Sequence, residues 1–143
     1  MSLVTVDSRG RVLLLKHVRP HAEYWVLPGG GEDWGETVDK ALVREIKEEL
    51  GVNVQPGNLV AIGELITPAR HVLDVFVAGT LEKQEGFTIA HSEGIAEAEW
   101  IPRTDVARLD FRPIEMVQVL ESVDLTRQGA PVYLGQYKDA ESR

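Results

Sequence analysis

The sequence predicts a single α/β domain (α+β by some schemes) spanning residues 1–143, on three observations. Its 143 residues suffice for one hydrophobic core rather than two. Short apolar runs that suit strands are interleaved with a long stretch, free of Pro and Gly, that suits a helix. An apolar fraction of 43% beside a charged fraction of 27% belongs to a folded globular chain, not to a disordered or fibrous one.

Val4 to Val6 reads as a short strand, followed by the turn residues Asp7-Ser8-Arg9-Gly10. Arg11 to Val18 comes next, and its contiguous Val12-Leu13-Leu14-Leu15 suits a strand covered on both faces. Arg19 to Glu23 is polar and predicts a loop. Tyr24 to Leu27 is apolar again and stops at Pro28-Gly29-Gly30-Gly31, a loop whose backbone takes unusual angles or is closely approached. Glu36 to Leu50 is rich in Ala, Leu, Lys, Arg and Glu and predicts a helix, with Thr37 as N-cap and Gly51 as its left-handed terminator. Val52 to Leu65 predicts a strand broken by Pro56-Gly57-Asn58, and His71 to Leu81 and Ile95 to Ile101 predict two more. A short helical segment runs from Pro102 and Thr104 through Leu109, and Pro113 to Val123 is an amphipathic helix.

Charge and composition exclude several classes of function. Fifteen Lys plus Arg against 23 Asp plus Glu leave a net charge of −8, which argues against a nucleic-acid polymer or an anionic membrane as partner. Small phosphorylated ligands stay compatible, because a divalent metal bridges two anions. With no cysteine there are no disulfides, cysteine-based metal centres or thiol nucleophiles. The longest apolar runs, such as Val12 to Leu15, are four residues, and no basic-then-apolar leader opens the chain. The expected location is therefore the cytoplasm.

On a helical wheel at about 100° per residue, with Val38 at zero, Leu42, Ile46, Leu50 and Val43 fall at roughly 40° to 140°. Lys47, Lys40 and Arg44 occupy roughly 180° to 240°, the side expected to face water. Glu48, Glu45 and Glu49 fall at about 280°, 340° and 20°, so the last two lie between Ala41 and Leu42 at the edge of the apolar stripe. A solvated acidic face is the plain alternative. However, like charges at this spacing repel, and partial burial raises the cost unless something compensates. A hard divalent cation is the obvious compensator. An all-oxygen donor set favours Mg²⁺ or Mn²⁺ over zinc, and ligand type alone leaves calcium open.

The run Gly30, five residues, Glu36, seven residues, Arg44-Glu45-Ile46-Lys47-Glu48-Glu49-Leu50-Gly51-Val52 resembles a complete Nudix box, the 23-residue signature of the Nudix hydrolase family (MutT-like). Trp25-Val26-Leu27-Pro28-Gly29-Gly30 and Ala98-Glu99-Trp100-Ile101-Pro102 are similar to segments that flank the box in that family. The resemblance implies an α/β/α sandwich with a mixed sheet between helices. It also implies metal-dependent hydrolysis of a nucleoside diphosphate linked to another moiety (a nucleoside triphosphate, ADP-ribose or a nucleotide sugar), releasing a nucleoside monophosphate or sugar phosphate. Glu48 and Glu49 become the principal metal ligands and Glu45 a ligand or general base. Arg44 orients Glu45. The Gly29 carbonyl is a further ligand, while Gly30, Glu36 and Gly51 support the box. A carboxylate before the late strand often joins the metal site, and Glu93 is the best placed.

Substrate specificity is less legible. Arg19, His21 and Tyr24 precede the box, and Arg70 and His71 follow Pro68, on sides where family substrates often lie. The alternatives are a Nudix-fold nucleotide sensor or binding module without catalysis, or an acidic interaction module stabilised by metal. The intact Arg44, Glu45, Glu48 and Glu49 set argues against both. The isomerase branch needs a cysteine this chain lacks. Homodimers are common in the family, although no residue here demands one.

Overall fold

The computed structural model describes residues 1–125 and 129–138. Its strands are β1 (Ser2–Val4), β2 (Arg11–Arg19), β3 (Ala22–Val26), β4 (Val54–Ile66), β5 (His71–Leu81), β6 (Ile95–Pro102) and β7 (Val132–Gln136), and its helices are α1 (Val38–Leu50) and α2 (Val117–Ser122). Short 3₁₀ turns lie at His91–Glu93, Arg103–Arg108 and Ile114–Met116. The strands form a mixed four-stranded sheet, β1-β5-β4-β7, and a three-stranded antiparallel sheet, β3-β2-β6. The expected mixed sheet is thus present, accompanied by a second, smaller one.

Alternation along the strands divides the interior into two buried clusters, where chain length led to the expectation of one core, because both faces of the strands are covered. Successive residues of a strand point to opposite faces, so Val12 and Leu14 join one buried cluster while Leu13 and Leu15 join the other. Val4, Phe76 and Ala78 side with the first, and Leu3 and Val77 with the second. Met116 and Leu120 close the first cluster from the α2 side, while Ala41, Leu42, Ile46 and Leu50 of α1 close the second. Helices therefore cover both faces, which is why the apolar run of β2 could be continuous.

Several boundaries differ from those the sequence predicts. The first strand is Ser2–Val4, not Val4–Val6, because its parallel pairing with β5 runs from Ser2–Phe76 to Val4–Ala78. Val6 makes only an isolated bridge to Val12. Ala22 and Glu23, expected in a loop, belong to β3, since backbone pairing with Arg19 and Val18 is indifferent to their polarity. Pro56-Gly57-Asn58 does not break β4 but is absorbed by register shifts between Pro56 and Ala61. Pro113 to Val123 divides into a 3₁₀ turn and the short α2. β7 carried no predicted strand; it pairs in parallel with β4 from Ala61–Val132 onward. Val43, placed on the apolar stripe, is exposed, because it lies at the margin farthest from the buried side of α1. No helix among the described residues is long and apolar enough to cross a membrane.

Removing side-chain volume should separate these two positions. Ile46→Ala, at a site with no exposed surface, is expected to cost about 2–5 kcal/mol of stability. Val43→Ala is expected to change stability by less than about 1 kcal/mol. Denaturant unfolding of the two variants checks this.

Candidate active site

Helix α1 is started and stopped by its own sequence. Thr37 Oγ1 accepts from the Lys40 N–H at 3.3 Å, and Gly51, at φ +71°, ends the helix as a left-handed cap. With Ala41, Leu42, Ile46 and Leu50 buried, the rotation of the helix is set, and the three glutamates fall into different environments. Glu49 is buried at 4% exposure, Glu45 is mostly covered, and Glu48 is open to solvent. They do not converge on one point as the wheel suggests. Among the described residues, no three His, Cys, Asp or Glu side chains form a ready metal-binding group. Each carboxylate instead has a partner within the protein, Gly29 for Glu49 and a shared arginine for Glu45 and Glu48.

Arg44 is the shared arginine. Its Nε and Nη2 clasp the two oxygens of Glu36 at 2.9 and 2.8 Å, Nη2 also reaches the Gly31 carbonyl at 2.9 Å, and Nη1 donates to Glu45 at 3.0 Å and Glu48 at 3.4 Å. Arg44, expected on the solvent side, is only partly exposed, because the loop before α1 packs along that flank and pairs with its guanidinium. Glu36, one residue before the cap, also accepts from the Asp33 N–H at 2.8 Å. The hydrogen bonds from Arg44 and then from Asp33 hold its carboxyl down at about 2, while the bonds to Glu36 raise Arg44 above its ordinary value.

Glu49 meets the glycine loop. Its Oε1 accepts the Gly29 N–H at 2.7 Å. Gly29 stands at φ +150°, and a Cβ there would strike the Met1 carbonyl. At Gly30 a Cβ would strike the Glu45 carboxylate. The two glycines thus let main chain and carboxylates pack where any side chain would intervene. Burial pushes Glu49 up to about 8; the Gly29 hydrogen bond opposes that rise, and the charges of Glu45, Glu93 and Glu48 add to it. Glu93 thereby enters the same electrostatic neighbourhood. Its segment is tied to the end of α1 by Thr88 N–H to Leu50 O at 2.9 Å and Ala90 N–H to Glu49 O at 3.1 Å.

A cleft of about 430 Å³ opens on the other side of Gly29, Gly30 and Gly31, between the two sheets. Of the five candidate substrate contacts, Arg19, Tyr24 and Arg70 line it, whereas His21 and His71 do not. His21 sits in the β2–β3 turn, and strand alternation turns Val72 and Asp74 toward the cleft and His71 away, where it meets Glu64 at 2.9 Å. The cleft adds polar residues that sequence reasoning missed, His17, Arg112 and Asp74 among them. His17 stacks on Tyr24 at 5.7 Å, a contact that follows from their cross-strand pairing. Arg112 lies over the Tyr24 ring at 4.3 Å, and Asp74 accepts from the Tyr137 hydroxyl at 2.9 Å; neither had a local sequence signal. A larger cleft, about 750 Å³, is lined by neither the glycine loop nor any α1 carboxylate.

The raised value of Glu49 makes a signed prediction. The folded protein holds that proton more tightly than the unfolded chain, so its contribution is fully present below the ordinary carboxylate range and lost as pH rises through about 8. The opposite contribution of Glu36 is lost only as pH falls toward 2, outside this window. The Tm of metal-free protein should therefore fall between pH 5 and 9, and Glu49→Gln should flatten that slope. A pH series of thermal melts checks it.

With this geometry in view, the chain can be set beside known proteins. The NUDIX domain family model matches residues 1–123. Nudix hydrolase 3 of Caenorhabditis elegans is 37% identical over 114 residues, covering 67% of this chain and 48% of that protein. The human 8-oxo-dGDP phosphatase NUDT18 is 31% identical over 129 residues, covering 87% of this chain and 37% of its own. The ADP-ribose pyrophosphatase of Methanocaldococcus jannaschii is 31% identical over 112 residues, covering 74% and 63%. The chain thus spans less than two-thirds of the length of these curated relatives. Among solved structures, a MutT NUDIX hydrolase from Burkholderia pseudomallei superposes with a TM-score of 0.68 at 27% identity, covering 86% of this chain and 95% of that one. The glycine loop, the capped helix and the carboxylates they position are those of a Nudix box, and the chain belongs to the Nudix family.

Proposed function

We propose that residues 1–143 act as one hydrolase unit that cleaves the diphosphate linkage of a nucleoside diphosphate joined to another moiety. The observation that carries this reading is Glu49. A buried carboxylate pushed up to about 8, with Glu45, Glu48 and Glu93 adding negative charge around it, is a centre short of positive charge beside an open cleft. Relatives named as an 8-oxo-dGDP phosphatase and an ADP-ribose pyrophosphatase support the same reaction class.

Nudix hydrolases generally use divalent metal ions, and the donors here fit one: all are oxygens, they are too many for Arg44 to neutralise, and one is buried. That chemistry favours Mg²⁺ or Mn²⁺. Glu48 and Glu49 would hold the ion, with Glu45, the Gly29 carbonyl and Glu93 as further donors. When bound, it supplies charge neutralisation for the diphosphate oxygens. The chain's own residues do the remainder. Arg44 holds Glu45 in position as ligand or general base, and is itself anchored by Glu36. Gly29 and Gly30 bring main chain against those carboxylates, and the cleft between the sheets receives the rest of the substrate.

Incubation with nucleoside triphosphates, 8-oxo-dGDP, ADP-ribose, nucleotide sugars and dinucleoside polyphosphates, with and without Mg²⁺, tests the assignment. Metal-dependent release of a nucleoside monophosphate from at least one of them is expected. Silence across the panel with binding retained would identify a binding module instead. Glu48→Gln is expected to lose at least about 10²-fold in kcat/KM while keeping the wild-type melting profile. A fully active Glu48→Gln enzyme would refute its role.

A further inference from the structure

The cleft beside the glycine loop concentrates positive charge in a chain of net charge −8. Three arginines, Arg19, Arg70 and Arg112, line it against one carboxylate, Asp74, which is buried and engaged by Tyr137. Arg112 is neutralised by both oxygens of Asp110 at 3.2 and 3.1 Å. The other two have no carboxylate partner among the described residues. Arg19 donates to the carbonyls of Val18 at 3.4 Å and Glu93 at 3.3 Å and lies 3.1 Å from His17 Nδ1, all neutral acceptors. The Arg70 guanidinium has no hydrogen bond or ion pair among the described residues.

These two arginines enter the cleft from different sheets, Arg19 from the end of β2 and Arg70 from the turn between β4 and β5. Arg19 is held in place before any ligand arrives. Gly94, at φ +81°, leaves the space in which a Cβ would strike the guanidinium, and a held fork costs less to use than a free one. Gly30 lines the cleft and also lies against the Glu45 carboxylate, so the cleft that holds the arginines adjoins the carboxylates.

We propose that Arg19 and Arg70 form an anion-selecting subsite, which binds a phosphate group of the substrate beyond the linkage that is cut. The proposal rests on the hydrolase reading and narrows its substrate class. Nucleoside polyphosphates, in which the departing moiety is itself phosphorylated, are preferred over diphosphates capped by a neutral sugar. Guanidinium forks suit phosphate oxygens, and an uncharged sugar leaves both forks unmatched.

Two measurements test it. In the first, kcat/KM is measured for a triphosphate and for the sugar-linked diphosphate of the same nucleoside, ATP against ADP-glucose and GTP against GDP-mannose. The wild type should favour the triphosphate, and Arg70→Gln should lower the ratio about tenfold, with Arg70→Lys restoring part of it. An unchanged ratio in Arg70→Gln, or a wild-type preference for the sugar, overturns the proposal. In the second, inorganic tripolyphosphate is titrated by calorimetry into wild type and Arg70→Gln with Mg²⁺ present. About tenfold weaker binding in the variant supports the subsite even where no substrate is turned over, an outcome that would sink only the hydrolase reading. Equal affinities overturn the subsite itself.

Discussion

A glutamate with 4% of its surface exposed requires a donor for its carboxylate, and among the described residues the Gly29 N–H, 2.7 Å from Glu49, supplies it. Much else follows from that contact. For the N–H to reach the helix, the glycine loop must lie between α1 and the start of the chain, where a Cβ at position 29 would meet the Met1 and Ser2 backbone and one at position 30 the Glu45 carboxylate. The loop is held there from behind by β1: Gly29 bridges Ser2, the Leu3 N–H donates to Pro28, and the Gly30 N–H donates to Met1. β1 in turn pairs with β5 in the mixed sheet. One hydrogen bond therefore sits at the junction of strand, loop and helix, and the dry environment that makes it necessary also perturbs Glu49.

Arg44 solves the complementary problem on the flank of the same helix. Its guanidinium divides its donors among Glu36, Glu45, Glu48 and the Gly31 carbonyl, so one cation holds the loop before the helix and two carboxylates upon it. A lysine could not do this, because a single ammonium lacks the planar fork that spans both oxygens of Glu36. Support and chemistry are thereby separated. Glu36 is spent on anchoring, which keeps it ionised far below neutrality, while Glu49 is left with too little positive charge around it.

The net charge of −8 thus describes the molecule poorly. Negative charge gathers on the helix side of the glycine loop, and arginines gather on the cleft side. On the proposed reading, a ligand spanning the two is an anion that a cation bridges to the carboxylates at one end and that the arginines receive at the other.

Local physics was legible in the sequence. Helix α1, its Thr37 and Gly51 caps and the extent of β5 follow from capping chemistry and apolar patterning, and the pattern from Gly30 to Val52 carries the family on its own. So does the expectation that β2 is covered on both faces. The wheel could rotate the glutamates toward the apolar stripe, but it could not say which would be buried, because burial depends on what packs against the helix. That was decided by Gly29, 20 residues away, and by the segment carrying Glu93. Likewise Arg19 meets the Glu93 carbonyl across 74 residues, and Arg112 reaches Tyr24 from the far end of the chain. The sequence by itself determined the helix, its caps and the identity of the carboxylates, since these rest on interactions within a few residues. Only the tertiary structure decided which carboxylate is dry and which arginines share a cleft, since both depend on surfaces that meet only when two sheets and a helix pack together.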